Sequence, residues 1–163
     1  MAKQKQFQTS LFPEPSYRVA EIQLSYKSIV PTSERPKITC SRDAYNILME
    51  SWDKNKLELL EQFKVLTLNR ANRVTGIYEA SQGGVAGTVA DPKHIMVAAL
   101  LNNASGIILA HSHPSGNLTP SQADMVLTKK LKEAGTFLEL QVLDHLIVTP
   151  KGYYSFADEG IFP

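Results

Sequence analysis

A chain of 163 residues is the usual length of one domain and is long enough to bury a real hydrophobic core. Apolar residues at 43% and charged residues at 20% match ordinary globular usage, which sets the chain apart from disordered and low-complexity sequences. Seventeen basic and 16 acidic side chains leave a formal charge of +1, which excludes the overall basic character of many nucleic-acid binders while leaving a local patch open.

The single cysteine, Cys40, rules out an intrachain disulfide and a thiolate metal cage, and a reducing compartment fits best. Cys40 reads as a small half-buried residue just before a helix. The polar N-terminus lacks the apolar core of a signal peptide, and no run reaches the ~18 apolar residues of a membrane span. The expectation is a soluble, cytoplasmic protein with no membrane partner.

Residues 1–17, with Pro13 and Pro15 among polar residues, predict a flexible arm, and residues 18–163 a single domain. Ile22, Leu24 and Tyr26 alternate with polar residues, predicting a strand over 19–26. After a loop at 31–36, Ser41 reads as the N-cap of a helix whose apolar face is Ala44, Ile47 and Leu48, ending near Trp52. Residues 63–68 predict a strand, paired as a hairpin with 74–80 across Arg70–Arg73. Gly83-Gly84 predicts a turn and 85–89 a short strand. Asp91-Pro92 is a cap followed by proline at the first helical position, and the helix predicted over 92–103 is apolar on most sides, hence buried. Ile107-Ile108-Leu109 predicts a central strand that ends on His111. Thr119-Pro120 repeats the cap-plus-proline signature, and the helix it opens runs to Gly135, read as its C′ residue. Two last strands are predicted over 138–143 and 145–149. This order predicts an α/β, α+β-like layered domain with a mixed, largely antiparallel sheet flanked by helices.

The chemistry concentrates in residues 111–124, His-Ser-His-Pro-Ser-Gly-Asn-Leu-Thr-Pro-Ser-Gln-Ala-Asp. At a strand end, residues i and i+2 share a face, so His111 and His113 can converge on one ion. Asp124 lies about one turn into the following helix, and a carboxylate is a normal third ligand beside two imidazoles. Ser121, three residues earlier, shares its helix face. Three protein ligands leave a fourth position for water, the pattern of a catalytic rather than a structural zinc. A His-x-His pair alone is equally a structural histidine pair.

The wider string is more specific. His111, His113, Ser121 and Asp124 reproduce His-x-His, seven residues, Ser, two residues, Asp, which resembles the JAMM (MPN+) metalloprotease signature. Pro114-Ser115-Gly116, Pro120–Asp124 and Val142–Val148 are similar to the RadC branch of that superfamily, a likeness that covers about residues 38–160. The resemblance implies a cytidine-deaminase-like JAB/MPN fold, one Zn2+ held by His111, His113 and Asp124, and a glutamate before an early strand acting on the bound water. Glu61 matches that position, and Glu58 is the competing candidate. Ser112 stands where RadC proteins commonly have asparagine; on the opposite strand face, it leaves coordination unchanged. Longer RadC proteins join this domain to a helix-hairpin-helix DNA-binding module, of which residues 1–37 show no sign.

Other residues carry two readings each. His145 is either a buried hydrogen-bonded histidine or a partner of the metal ligands. His94 is expected in solvent. Ser115 is a loop cap rather than a nucleophile, for it lacks a free histidine base. Gly83, Gly84 and Gly87 make turns or border a groove in which an extended substrate adds beside 85–89. Lys129, Lys130 and Lys132 read as a solvated face, and 153–156 as core or a packing flap.

The resulting expectation is a zinc-dependent hydrolase of amide, peptide or isopeptide bonds, with His111, His113 and Asp124 on the metal, Glu61 as general base and Ser121 steadying the oxyanion. The partner is then a polypeptide. The alternatives are a DNA-repair or mobile-element binding module with a structural metal, and a hydrolase of phosphodiesters or nucleotides.

Overall fold

A computed structural model describes residues 26–83 and 89–163. The arm expected over 1–17 and most of the strands expected over 19–26 and 85–89 lie outside the described residues.

Among the described residues, three α-helices and five strands follow one another as α1 (Ser41–Ser51), β1 (Gln62–Leu68), β2 (Val74–Gln82), α2 (Pro92–Leu101), β3 (Gly106–Ser112), α3 (Gln122–Phe137), β4 (Gln141–Thr149) and β5 (Gly152–Ser155). A short 3-10 turn at Thr32–Glu34 precedes α1. The sheet order is β2-β1-β3-β4-β5; only β3 and β4 run parallel, joined by α3. The expected mixed, largely antiparallel sheet is therefore present. β1 and β3 are buried throughout, which explains the continuous apolar run Ile107-Ile108-Leu109 of β3.

Alternation along the strands divides the core into two layers. Leu66, Leu68, Ile108, Ala110, Leu146 and Val148 face α1, where Ala44 and Leu48 cover them. Phe63, Val65, Ile107, Leu109 and Val142 face α2 and α3, meeting Ile95, Met96, Ala99 and Leu131. Each fully buried leucine or isoleucine in these layers contributes about 1.5–3 kcal/mol relative to exposure. His111 continues the α3 face of β3, and Ser112 the α1 face.

Several boundaries differ from the sequence expectation. Cys40 is the N-cap of α1 and is exposed rather than half-buried, because the Asp43 carboxylate reaches back to the Thr39 and Cys40 N–H groups and fixes the chain entry one residue earlier. α2 stops at Leu101, where Asn102 caps it and Asn103 turns left-handed at φ 52°. Its apolar surround is only half used: Val97, Leu100 and Leu101 remain 43–50% exposed. α3 starts after Ser121, not after Thr119. Gly135 is not its C′ residue but an internal position beside the Leu140 carbonyl; Glu139, at φ 51°, makes the left-handed turn. The two last strands are one, β4, with a bulge at the break the sequence suggested: Ile107 pairs with Val142 and Ile108 with Asp144. Residues 153–156 are β5 and the buried Phe156 that follows it. No helix among the described residues is long and apolar enough to cross a membrane.

Candidate metal centre

β3 delivers the first candidate ligand and the turn after it the second. His111 is buried, 1% exposed, on the α3 face. The His113 N–H donates to Val148 O at 3.0 Å, which keeps the chain beside β4 for one more residue and returns the side chain to the His111 face. The Pro-Ser-Gly loop then reverses: Gly116 N–H donates to His113 O, and Gly116 takes φ 77°, a conformation that glycine adopts without strain. Ser115 Oγ accepts from Asn117 N–H at 3.3 Å, the loop-capping role expected of it. α3 then opens with a capping box. Ser121 N–H donates to Asp124 Oδ2 at 2.7 Å, and Asp124 N–H donates to Ser121 Oγ at 3.2 Å. With one oxygen held by the cap, Asp124 presents Oδ1 to His111 Nε2 at 3.3 Å.

His111, His113 and Asp124 thus form a group whose ligand atoms lie within 4.8 Å of one another. His111 Nε2 is 2.9 Å from His113 Nε2. Tetrahedral zinc with bonds of about 2.0–2.1 Å sets its ligand atoms about 3.3 Å apart, so a small spreading of the imidazoles accommodates an ion. The donor chemistry points the same way. His113 Nδ1 is 2.6 Å from the Asn117 carbonyl, which only accepts, so the ring proton belongs on Nδ1 and Nε2 carries a lone pair. A nitrogen lone pair and a carboxylate oxygen directed into one small space repel each other without a cation between them. The residues fit a metal ion.

A third histidine lies behind the first. His145, on β4, is fully buried, its Nε2 2.9 Å from His111 Nδ1 and its Nδ1 2.6 Å from Thr128 Oγ1 on α3. His145 is thus a buried, hydrogen-bonded histidine, and the residue it meets is His111 of the candidate metal group. Phe63 stacks on the His111 ring at 5.9 Å, and Phe156 on the His145 ring at 4.8 Å, which walls both imidazoles from water. Burial pushes the His111 pKa down to about 4, against the opposing charge of Asp124 and with that of His113. Burial also holds His145 well below the ordinary histidine value, so both rings are neutral at pH 7. Asp144, raised by its own burial, accepts from Ser155 Oγ, Ala157 N–H and His145 N–H, which secures the β4 bulge.

The remaining expected residues are distributed around this centre. β1 and β3 pair antiparallel as far as Phe63 with His111, so half-buried Glu61, two residues before Phe63, and His113, two residues after His111, both lie at this end of the two strands. Gly83 N–H donates to the Glu61 carbonyl at 2.8 Å. Ser112 Oγ, on the opposite face, accepts from Gln62 N–H and donates to Leu60 O, tying the chain around Glu61 to β3. Exposed Glu58 lines a separate groove with Tyr45, Met49 and Pro150, on the α1 side of the sheet. His94 is solvent-exposed beside Asp91. Lys129 and Lys130 are exposed on α3, while Lys132 lies over the Phe162 ring. A groove of about 1300 Å³, with Arg70, Lys132 and Glu139 in its lining, is at the far end of the sheet from the histidines and contains none of the expected site residues. Thr128 escaped the sequence reading. Its only signal is a threonine four residues after Asp124, on the same helix face.

A five-stranded mixed sheet between helical layers, with two histidines and an aspartate gathered at the end of a central strand, defines a layered α/β domain with a candidate metal site. The chain belongs to the RadC-like JAB domain family, whose pattern it matches over residues 38–161. It is 48% identical over 126 residues to the UPF0758 protein of Flavobacterium johnsoniae, covering 77% of this chain and 54% of that one. With the UPF0758 protein of Porphyromonas gingivalis it shares 40% identity over 147 residues, 88% of this chain and 63% of the relative. The UPF0758 protein SH1266 of Staphylococcus haemolyticus is 39% identical over 130 residues, 80% and 56% of the two chains. In each of these the matched part spans less than two thirds of the relative's length.

Proposed function

We propose that this chain is a zinc-dependent hydrolase of amide bonds, peptide or isopeptide, acting in a reducing, cytoplasmic setting. The observation that carries the reading is the convergence of His111 Nε2, His113 Nε2 and Asp124 Oδ1 at the end of β3. Three protein ligands leave one position open, as catalytic rather than structural sites do. Held by His111, His113 and Asp124, zinc would supply a hydroxide nucleophile at neutral pH and would polarise a carbonyl as a Lewis acid. Glu61 takes the proton of the attacking water and returns it to the departing amine. The Ser121 hydroxyl, whose oxygen already accepts the Asp124 N–H, still has its own proton to donate to the oxyanion of the tetrahedral intermediate.

The test is cleavage of a peptide library and of isopeptide-linked conjugates by zinc-loaded protein, with products mapped by mass spectrometry and Glu61→Gln as the blank. Wild-type protein should cleave, and Glu61→Gln should bind one zinc yet turn over about 100-fold more slowly or worse. Identical products at identical rates from both proteins would remove Glu61 as the base. No wild-type cleavage of either substrate class would overturn the amide assignment.

A further inference from the structure

We propose that His145 and Thr128 are positioning residues: with the Asp124 backbone they form a hydrogen-bonded relay that fixes the tautomer of His111 and aims its Nε2 lone pair at the metal. The proposal rests on the metal reading of the site and adds to it two residues that touch no ligand position.

The direction of the relay follows from its one unambiguous end. Thr128 Oγ1 is 2.6 Å from the Asp124 carbonyl, four residues earlier on the helix, and a carbonyl can only accept. The hydroxyl proton therefore goes to Asp124 O. The same Oγ1 is 2.6 Å from His145 Nδ1, and with its proton committed it accepts there, so His145 Nδ1 carries the N–H. A neutral His145 then has its lone pair on Nε2, 2.9 Å from His111 Nδ1. His111 Nδ1 must donate, and His111 Nε2 is left with the lone pair directed toward His113 Nε2 and Asp124 Oδ1. The opposite direction would put the proton of His111 on the nitrogen that faces the other two ligands.

The relay is a closed device. It starts on the backbone of one ligand, Asp124, crosses from α3 to β4 and ends on the ring of another, His111. His145 is fully buried, Thr128 is buried, and Phe63 and Phe156 flank the rings, so no water competes for these bonds. Partners of this kind orient metal-binding histidines, and losing one costs about 10–100-fold in metal affinity.

Thr128→Val keeps the side-chain shape and removes the hydroxyl; Thr128→Ser restores the hydroxyl. In chelator competition, Thr128→Val should bind zinc about 10–100-fold more weakly, while Thr128→Ser stays close to wild type. The visible absorption of the cobalt-substituted protein should shift in the valine variant alone. Long-range proton–nitrogen NMR of metal-free wild type should show His111 and His145 protonated on Nδ1. An Nε2–H tautomer on His145 overturns the relay. So does a folded Thr128→Val protein, checked by circular dichroism, that matches wild type in both zinc affinity and cobalt spectrum. A wild type that takes up no zinc overturns the proposed function and the positioning role together, and that result appears in the wild-type titration, separate from the variant comparison.

Discussion

Ser121 and Asp124 hold each other at the start of α3: Ser121 N–H donates to Asp124 Oδ2 at 2.7 Å, and Asp124 N–H donates to Ser121 Oγ at 3.2 Å. The same carboxylate presents its other oxygen to His111. A helix cap is thus also the device that aims a candidate ligand.

Ser121→Ala removes the side-chain half of this cap. It should cost about 1 kcal/mol in denaturant unfolding. Turnover should fall further than stability implies, by about 100-fold, if its hydroxyl serves the oxyanion. Ser121→Thr should recover the cap. Equal turnover in wild type and the alanine variant would confine Ser121 to capping.

Asp124→Ala and Glu61→Gln should separate binding from chemistry. The first should abolish stoichiometric zinc uptake, measured by elemental analysis after dialysis. The second should leave uptake at one ion per chain. Full zinc occupancy in Asp124→Ala would remove this residue from the ligand set.

Zinc should stabilise the folded chain. At free zinc about 100 times the dissociation constant the gain is about 2.7 kcal/mol, which raises the thermal midpoint by about 5–10 °C for a domain of this size. Calorimetry with and without a chelator reads it directly. A midpoint indifferent to both would argue against a formed site.

The metal-free protein should lose stability on acidification. The His111 pKa is lowered by burial from 6.5 to about 4, and the groups that face it are Asp124 from α3, His113 from the loop and His145 from β4. Between those values the unfolded chain binds a proton that the folded chain refuses. Stability therefore falls as pH drops from about 6.5 toward about 4, by on the order of 3 kcal/mol for this ring. His145, lowered in the same direction, adds to the loss. Urea midpoints across that range should decrease; a flat profile would contradict the assigned burial.

Gly135→Ala probes the opposite end of the domain. A Cβ there would overlap the Leu140 carbonyl where α3 turns back into β4, so the backbone must shift. Overpacking of this kind costs about 1–3 kcal/mol. Zinc stoichiometry should survive, and its loss would show that the α3–β4 turn transmits strain to the metal centre.

The strands and helices around the site were legible because their signals are local. Val65, Leu66 and Leu68 or Ile107, Ile108 and Leu109 form runs that only a central strand buries on both faces. The errors were local too. Thr119-Pro120 looked like a helix start, but the reciprocal hydrogen bonds of Ser121 and Asp124 start the helix two residues later. Gly135 looked like a helix end because its need for space is the same in a left-handed turn and in a close backbone approach; only packing against Leu140 distinguishes them.

The sequence by itself determined the candidate His-His-Asp group. Strand periodicity places His111 and His113 on one face, and the three-residue spacing of Ser121 and Asp124 puts those two on one helix face, so both depend on neighbours within a few residues. What only the tertiary structure decided is what stands behind and opposite those ligands. The pairing of β1 with β3, which ends with Phe63 opposite His111, brings the chain at Glu61 to the strand end that carries the histidines, over about 50 residues of chain. The bulge at Asp144 reverses the alternation of β4, so that His145 rather than its neighbours faces α3 and meets Thr128 and His111. Such contacts arise from strand pairing and helix packing between distant segments, and no periodicity within either segment encodes them.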